Sequence, residues 1–232
     1  IGALPDTRIR IGRQQVNLDN VRFIGDIGFR QLMQVYDGLS IFNKSITDTE
    51  VYLAHFESVR QINTQLRTDG ALEVANIKYR FTETESLTGY GYFSSFDNLG
   101  FGKSWFGDGN DGSNQSNRIL GLRLDGTHKL NDNWKLLYTA EYAKQQDYAG
   151  GDGRIDAHYY KLGGGAALGN LSLRADQELL SSNDGIYAFQ TPFGTNHLFQ
   201  GWVDRFLITP KEGIRDSYIT ASYKYGDVSV FA

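Results

Sequence analysis

The amino-acid sequence predicts an all-β chain: an antiparallel, up-and-down transmembrane β-barrel with about 11 strands. Three observations predict it. Apolar and polar residues alternate with period two over segments of about ten residues. The connections between those segments alternate strictly between short and long. The composition favours strands and turns, with 27 Gly, 14 Tyr and 14 Phe against 3 Pro and 1 Met.

The alternation is cleanest in the middle of the chain. Ala75, Ile77, Tyr79 and Phe81 share one face, and Asn76, Lys78 and Arg80 share the other. Leu120, Leu122 and Leu124 oppose Gly121, Arg123 and Asp125. Trp134, Leu136, Tyr138, Ala140 and Tyr142 oppose Lys135, Thr139 and Glu141. Leu171, Leu173 and Ala175 oppose Ser172, Arg174 and Asp176. Helical spacing is not sustained in any of these runs, so they read as strands. Such segments lie near 7–16, 34–43, 48–57, 71–82, 86–96, 118–129, 134–145, 155–167, 171–181 and 214–225, and a further one starts at 228. At about ten residues most are long enough to cross a bilayer at a tilt, and longer than ordinary globular strands. In 34–43 and 48–57 neither face is cleanly apolar, which leaves their orientation open.

Short connections fall near 44–47, 83–85, 130–133, 168–170 and 226–227, with turn formers such as Asn131-Asp132-Asn133 and Gly169-Asn170. Long ones fall near 17–33, 58–70, 97–117, 146–154 and 182–213. In an up-and-down barrel every second connection emerges on the same side. One rim then carries tight turns and the other long loops, as in outer-membrane barrels. A Greek-key sandwich has no reason to keep that order. Residues 1–232 are expected to form one such domain. An eleventh strand running into Ala232 and a first strand beginning near residue 1 predict an incomplete part of a larger barrel, since bacterial single-chain barrels have even strand numbers.

Bulk properties narrow the classes further. No run approaches the ~18–20 apolar residues of a membrane helix. The absence of Cys excludes a disulfide framework or thiolate metal site. A net charge of −4 argues against a nucleic-acid binder. No basic stretch followed by an apolar one opens the chain, so a secretion signal would lie outside this sequence. His55, His128, His158 and His197 show no metal spacing, no Gly-x-Ser-x-Gly elbow is present, and no two carboxylates single themselves out as a hydrolytic pair. Neither an enzyme nor a cofactor is expected. Gly107 to Asn114 gathers oxygen donors but misses the calcium-loop pattern, and reads as an exposed loop.

If the apolar faces point to lipid, the opposite faces line the barrel interior. They collect Arg10, Lys78, Arg80, Arg123, Lys135, Lys161, Arg174 and Lys224, against Asp125, Glu141, Asp176 and Glu178. Rings of Arg and Lys are how pores select anions. The same charges also fit a solvated face paired across strands, and Arg123 with Asp125 and Arg174 with Asp176 suit that pairing. The segment 186–210, with Phe189, Phe193, His197, Phe199, Trp202, Asp204, Arg205 and Phe206, is too apolar for a free loop. It is expected to be ordered in the barrel mouth or over its rim, as a gate or as a fixed plug. Tyr90, Tyr92, Trp134, Tyr142, Tyr148, Tyr159, Tyr160 and Tyr225 suit aromatic girdles at the membrane interfaces.

Several segments resemble the alginate-export family of outer-membrane porins. The first is Gly12-Arg13-Gln14 with Leu18-Asp19-Asn20-Val21-Arg22-Phe23-Ile24-Gly25 and Gly28-Phe29-Arg30-Gln31. The second is Glu141-Tyr142-Ala143 leading to Gln146-Asp147-Tyr148. The third is Thr191-Pro192, His197, Phe199, Gly201 to Leu207 and Thr209-Pro210. They occur in the family's order across nearly the whole chain. The resemblance implies a barrel in the bacterial outer membrane, with the lipid bilayer around it and a cationic lumen that passes an anionic polysaccharide. The reading from the residues is a passive porin for an anionic sugar polymer or small anion. A non-conducting barrel serving as a structural or binding platform is the alternative, and an outer-membrane hydrolase ranks last.

Overall fold

A computed structural model describes residues 5–62, 66–99, 105–106, 113–200, 203, 205–226 and 228–231. Eleven strands follow one another in a single antiparallel path: β1 (Thr7–Gln14), β2 (Val35–Asn43), β3 (Thr49–Arg60), β5 (Leu72–Thr82), β6 (Glu85–Ser94), β7 (Asn117–Lys129), β8 (Trp134–Asp147), β9 (Asp156–Leu168), β10 (Leu171–Leu180), β13 (Ile214–Tyr225) and β14 (Val228–Phe231). Each pairs with its neighbours in sequence, which is the up-and-down order that the alternating connections predict. Three two-residue strands lie in the long connections: β4 (Leu66–Arg67), which pairs antiparallel with the end of β3, and the small hairpin β11 (Ser182–Asn183) with β12 (Tyr187–Ala188). Among the described residues β1 and β14 each have a single neighbour, so this sheet is an open arc.

The pairing register sets the tilt. Hydrogen-bonded partners form the row Arg8, Phe42, Tyr52, Asn76, Tyr90, Gly121, Ala143, Tyr159, Leu180, Ile214. It begins near the short-turn end of β1 and finishes at the long-loop end of β13. A climb of about ten residues over about nine strand steps, at ~3.3 Å per residue and ~4.8 Å between strands, is a tilt of roughly 37°. Transmembrane barrels have this tilt.

The outward face is apolar, as expected: Ile11, Ile77, Phe81, Leu122, Leu136, Tyr142, Leu173 and Ile219 are exposed. Such a surface suits hydrocarbon rather than water. No helix among the described residues is long and apolar enough to cross a membrane, which says nothing about strands. Turn chemistry is local. Gly169 takes φ 55 at the first position of the two-residue turn between β9 and β10, the hand that a type II′ turn requires.

Two expectations need correction. Tyr90, Tyr92 and Tyr159 are not girdle residues; they are buried on the inner face. Phe23, from the β1–β2 connection, draws them there: its ring centre lies 5.5 Å from Tyr90, 6.3 Å from Tyr92 and 5.1 Å from Tyr159. Tyr90 and Tyr159 sit on strands three steps apart, so a single ring touching both shows that the sheet curls around it. The long connection 17–33 is likewise not wholly external: it buries Arg22, Phe23, Ile24 and Ile27 on the inner side, while residues 28–33 stay exposed. The ambiguous strands β2 and β3 are ambiguous for a physical reason. Their inner residues Tyr36, Tyr52 and Phe56 pack against apolar chain instead of water, Phe42 lies under the Arg8 and Lys44 cations, and a bulge at Asp37/Gly38 turns Val59 inward after Phe56. The oxygen-rich stretch near 107–112 lies outside the described residues.

Candidate functional site

Two of the long connections fill the inside of the arc. Residues 15–34 leave β1 and bury Val16, Arg22, Phe23 and Ile24 before reaching β2. Residues 187–195 bury Tyr187, Phe189 and Phe193. The two segments are joined by backbone. The Gly25 amide donates to the Phe193 carbonyl at 2.9 Å, and the Thr195 amide donates to the Val21 carbonyl at 2.9 Å. The Gln34 side-chain amide and the Tyr36 hydroxyl bond the Gly25 and Phe193 carbonyls from below. Glycine at 25 and 194 permits this approach, because a Cβ at either would collide with the opposite segment.

Three wall positions anchor this crossbar. On β5, Asn76 donates to Asp19 at 2.7 Å and Lys78 pairs with Asp19 at 3.1 Å. On β8, buried Gln145 accepts from Tyr187 Oη and the Gln190 amide, both at 2.7 Å, and donates to the Gln190 carbonyl. On β10, Glu178 accepts from Arg22 Nε at 3.0 Å, Tyr159 Oη at 2.8 Å and Gln200 Nε2 at 2.9 Å. The Arg22 guanidinium also donates to Asn196 at 3.1 Å and lies 4.7 Å from the Phe199 ring centre.

The inner wall carries most of the charges read from the sequence, and neighbours neutralise many of them. Arg123 donates to Glu141 at 2.8 Å and Asp125 at 2.9 Å, and Tyr90 Oη closes on Glu141. Arg174 forks onto Asp176 and reaches Thr139, which donates in turn to Asp125. Arg80 shares Glu50 with Lys44. Lys161 takes Tyr218 Oη at 2.8 Å rather than a carboxylate. Lys135 is exposed and faces Lys129 directly across β7 and β8, a like-charge pair. Lys224 is exposed on β13.

Arg8 and Arg10 stand apart. Among the described residues neither has a carboxylate partner; Arg8 lies over the Phe42 ring at 5.4 Å. Both open into a cavity of about 270 Å³ between the inner faces of β1, β2, β3 and β5 and the start of the crossbar, lined also by Asp19, Glu50, Tyr52, Asn76 and Lys78. Asp19 is already engaged by Lys78 and Asn76, and Glu50 by Lys44 and Arg80, so the two arginines are the charges of this lining without an ion-pair partner among the described residues. Sequence reasoning found Arg10 and passed over Arg8, although the two share a face by the two-residue rule. It also missed Glu50, on a strand of open orientation, and Arg22 with Asp19, whose partners are remote in sequence.

In the mouth segment, Phe193 is buried and His197 stacks on Phe29 at 4.2 Å between ring centres, in a 3₁₀ turn at Asn196–Leu198. Arg205 is exposed beside Phe206. Trp202 and Asp204 lie outside the described residues. Among the described residues no group of three His, Cys, Asp or Glu is placed to hold a metal ion.

No protein-family model matches the sequence, and no curated protein matches it significantly. Solved structures do match. OpdL of Pseudomonas aeruginosa is 15% identical, with a TM-score of 0.63 over 94% of this chain and 56% of its own. OccAB4 of Acinetobacter baumannii is 16% identical, with a TM-score of 0.65 over 96% of this chain and 53% of its own. OpdK of P. aeruginosa, solved with vanillate, is 14% identical, with a TM-score of 0.61 over 94% and 54%. The chain spans a little over half the length of each. At these identities the likeness concerns architecture: the chain has the antiparallel barrel fold of OpdL, OccAB4 and OpdK.

Proposed function

We propose that residues 1–232 belong to one barrel, a passive porin of the bacterial outer membrane, and that it prefers small anionic solutes. The apolar outside, the strand tilt and the fold it shares with OpdL support the membrane part of this reading. The observation that carries the anion preference is the pair Arg8 and Arg10, two guanidinium groups without carboxylate partners among the described residues, facing a cavity on the inner side of the arc. Guanidinium presents donors that match a carboxylate in pairs. OpdK was solved with vanillate, itself a carboxylate, which favours a small carboxylate as the solute class. An anionic sugar polymer, which the alginate-export resemblance suggests, would need the crossbar to move. On this reading the protein is a channel and not an enzyme, and no cofactor takes part.

Uptake into liposomes tests it. Small carboxylates should enter faster than amines of equal size, and Arg8→Ala with Arg10→Ala should remove the difference. Equal rates in the unaltered protein would overturn the anion preference. The crossbar gives one reason for a second reading, a non-conducting barrel whose loops form a binding platform; it predicts no uptake of either class.

A further inference from the structure

Residues 17–25 are tied to opposite walls by ion pairs of opposite polarity. Asp19 holds Lys78 on β5, and three residues later Arg22 holds Glu178 on β10. The backbone between and beyond them is strained. Asp19, Val21 and Ile27 have φ of 51, 59 and 56, and two of these are β-branched residues that rarely adopt the left-handed region. Such residues persist only where surrounding contacts over-determine them.

The latch itself is an expensive one. Arg22 and Glu178 are both closed off from solvent, and Arg22 Nη2 is buried with no hydrogen-bond partner among the described residues. Taking two charges out of water offsets much of their attraction, so an apolar contact would fix the segment at least as firmly. Strain on one side and an incompletely satisfied charge on the other describe a segment held, not simply folded.

We infer that residues 17–25 form a sprung strap across the barrel interior, latched by Arg22 and Glu178, and that release of the latch widens the path beside Arg8 and Arg10. This rests on the porin reading for its consequence, but not for the latch. Releasing the strap breaks its backbone bonds to the mouth segment, so the Gly25 and Thr195 amides report it directly.

Hydrogen exchange of the full-length protein in detergent micelles measures the latch, and single-channel recording measures the path. Glu178→Gln should speed exchange at both amides by roughly tenfold or more. Val21→Asn should slow it several-fold, because Asn enters the left-handed region far more readily than Val. Opening events should become more frequent in the first variant and rarer in the second. Val21→Asn leaves the ion pair intact, so it reads the strain even if Glu178→Gln does not fold. Unchanged exchange in folded variants would overturn the strap. Altered exchange without current in any form would keep the strap and sink the porin reading.

Discussion

Arg22 and Glu178 are 156 residues apart in sequence and 3.0 Å apart in space, with neither side chain open to solvent. Their contact joins the first long connection to the wall strand that precedes the last one. The interior is therefore built by the two ends of the arc together.

Removing one partner should cost far more than removing both. Glu178→Ala or Arg22→Met leaves a buried charge uncompensated, and should lower barrel stability by about 3–5 kcal/mol. The double variant Arg22→Met with Glu178→Leu should recover most of that. Urea unfolding in lipid vesicles reads the difference; equal losses in single and double variants would contradict the pairing.

Gly163 and Gly164 are adjacent, yet they should respond oppositely to a methyl group. A Cβ on Gly163 would run into the Arg174–Asp176 fork on the inner face, while Gly164 has nothing within 4 Å. Gly163→Ala should cost about 1–3 kcal/mol, and Gly164→Ala should stay within about 0.5 kcal/mol. Thermal unfolding of the two variants checks this.

Charge selectivity should depend more on Arg8 and Arg10, which have no carboxylate partner among the described residues, than on the paired arginines. Arg8→Ala with Arg10→Ala should reduce the anion-to-cation permeability ratio by roughly threefold or more, with little loss of stability. Arg123→Ala strands Glu141 and Asp125, so its main effect should be on folding. Reversal potentials and unfolding midpoints, measured on the same preparations, separate the two.

Two loops should respond to acid in opposite directions. A hydrogen bond with Asp69, and then burial, hold the Asp97 carboxyl above the ordinary carboxylate range. Its contribution is fully present below the unfolded value and lost as pH rises through the folded one, so this loop should tighten in acid. A hydrogen bond from Arg154 holds the Asp152 carboxyl below that range. That contribution is present above the unfolded value and lost as pH falls through the folded one, so its loop should loosen. Hydrogen exchange at residues 95–99 and 152–155 across the acid range tests both signs.

The strands were legible because their signal is local. Period two in Leu120 to Asp125 or Trp134 to Tyr142 survives wherever one face meets lipid and the other polar groups. It fails where both faces are apolar, and Tyr90, Tyr92 and Tyr159 point inward because Phe23 from another part of the chain covers them. The paired charges Arg174 and Asp176 could be read two residues apart on one face. Arg22 could not, since nothing within a turn of it hints at Glu178. The mouth segment announced its order through its aromatic content, but not the backbone bonds from Gly25 and Thr195 that define its partner.

Single-channel recording of the full-length protein in a planar bilayer under a salt gradient tests most directly the proposal that Arg8 and Arg10 set the selectivity of a pore. The expected result is a steady conductance with a reversal potential on the anion side, moving toward zero in the Arg8→Ala, Arg10→Ala double variant. A correctly inserted barrel that carries no current, or one that reverses on the cation side, would contradict it.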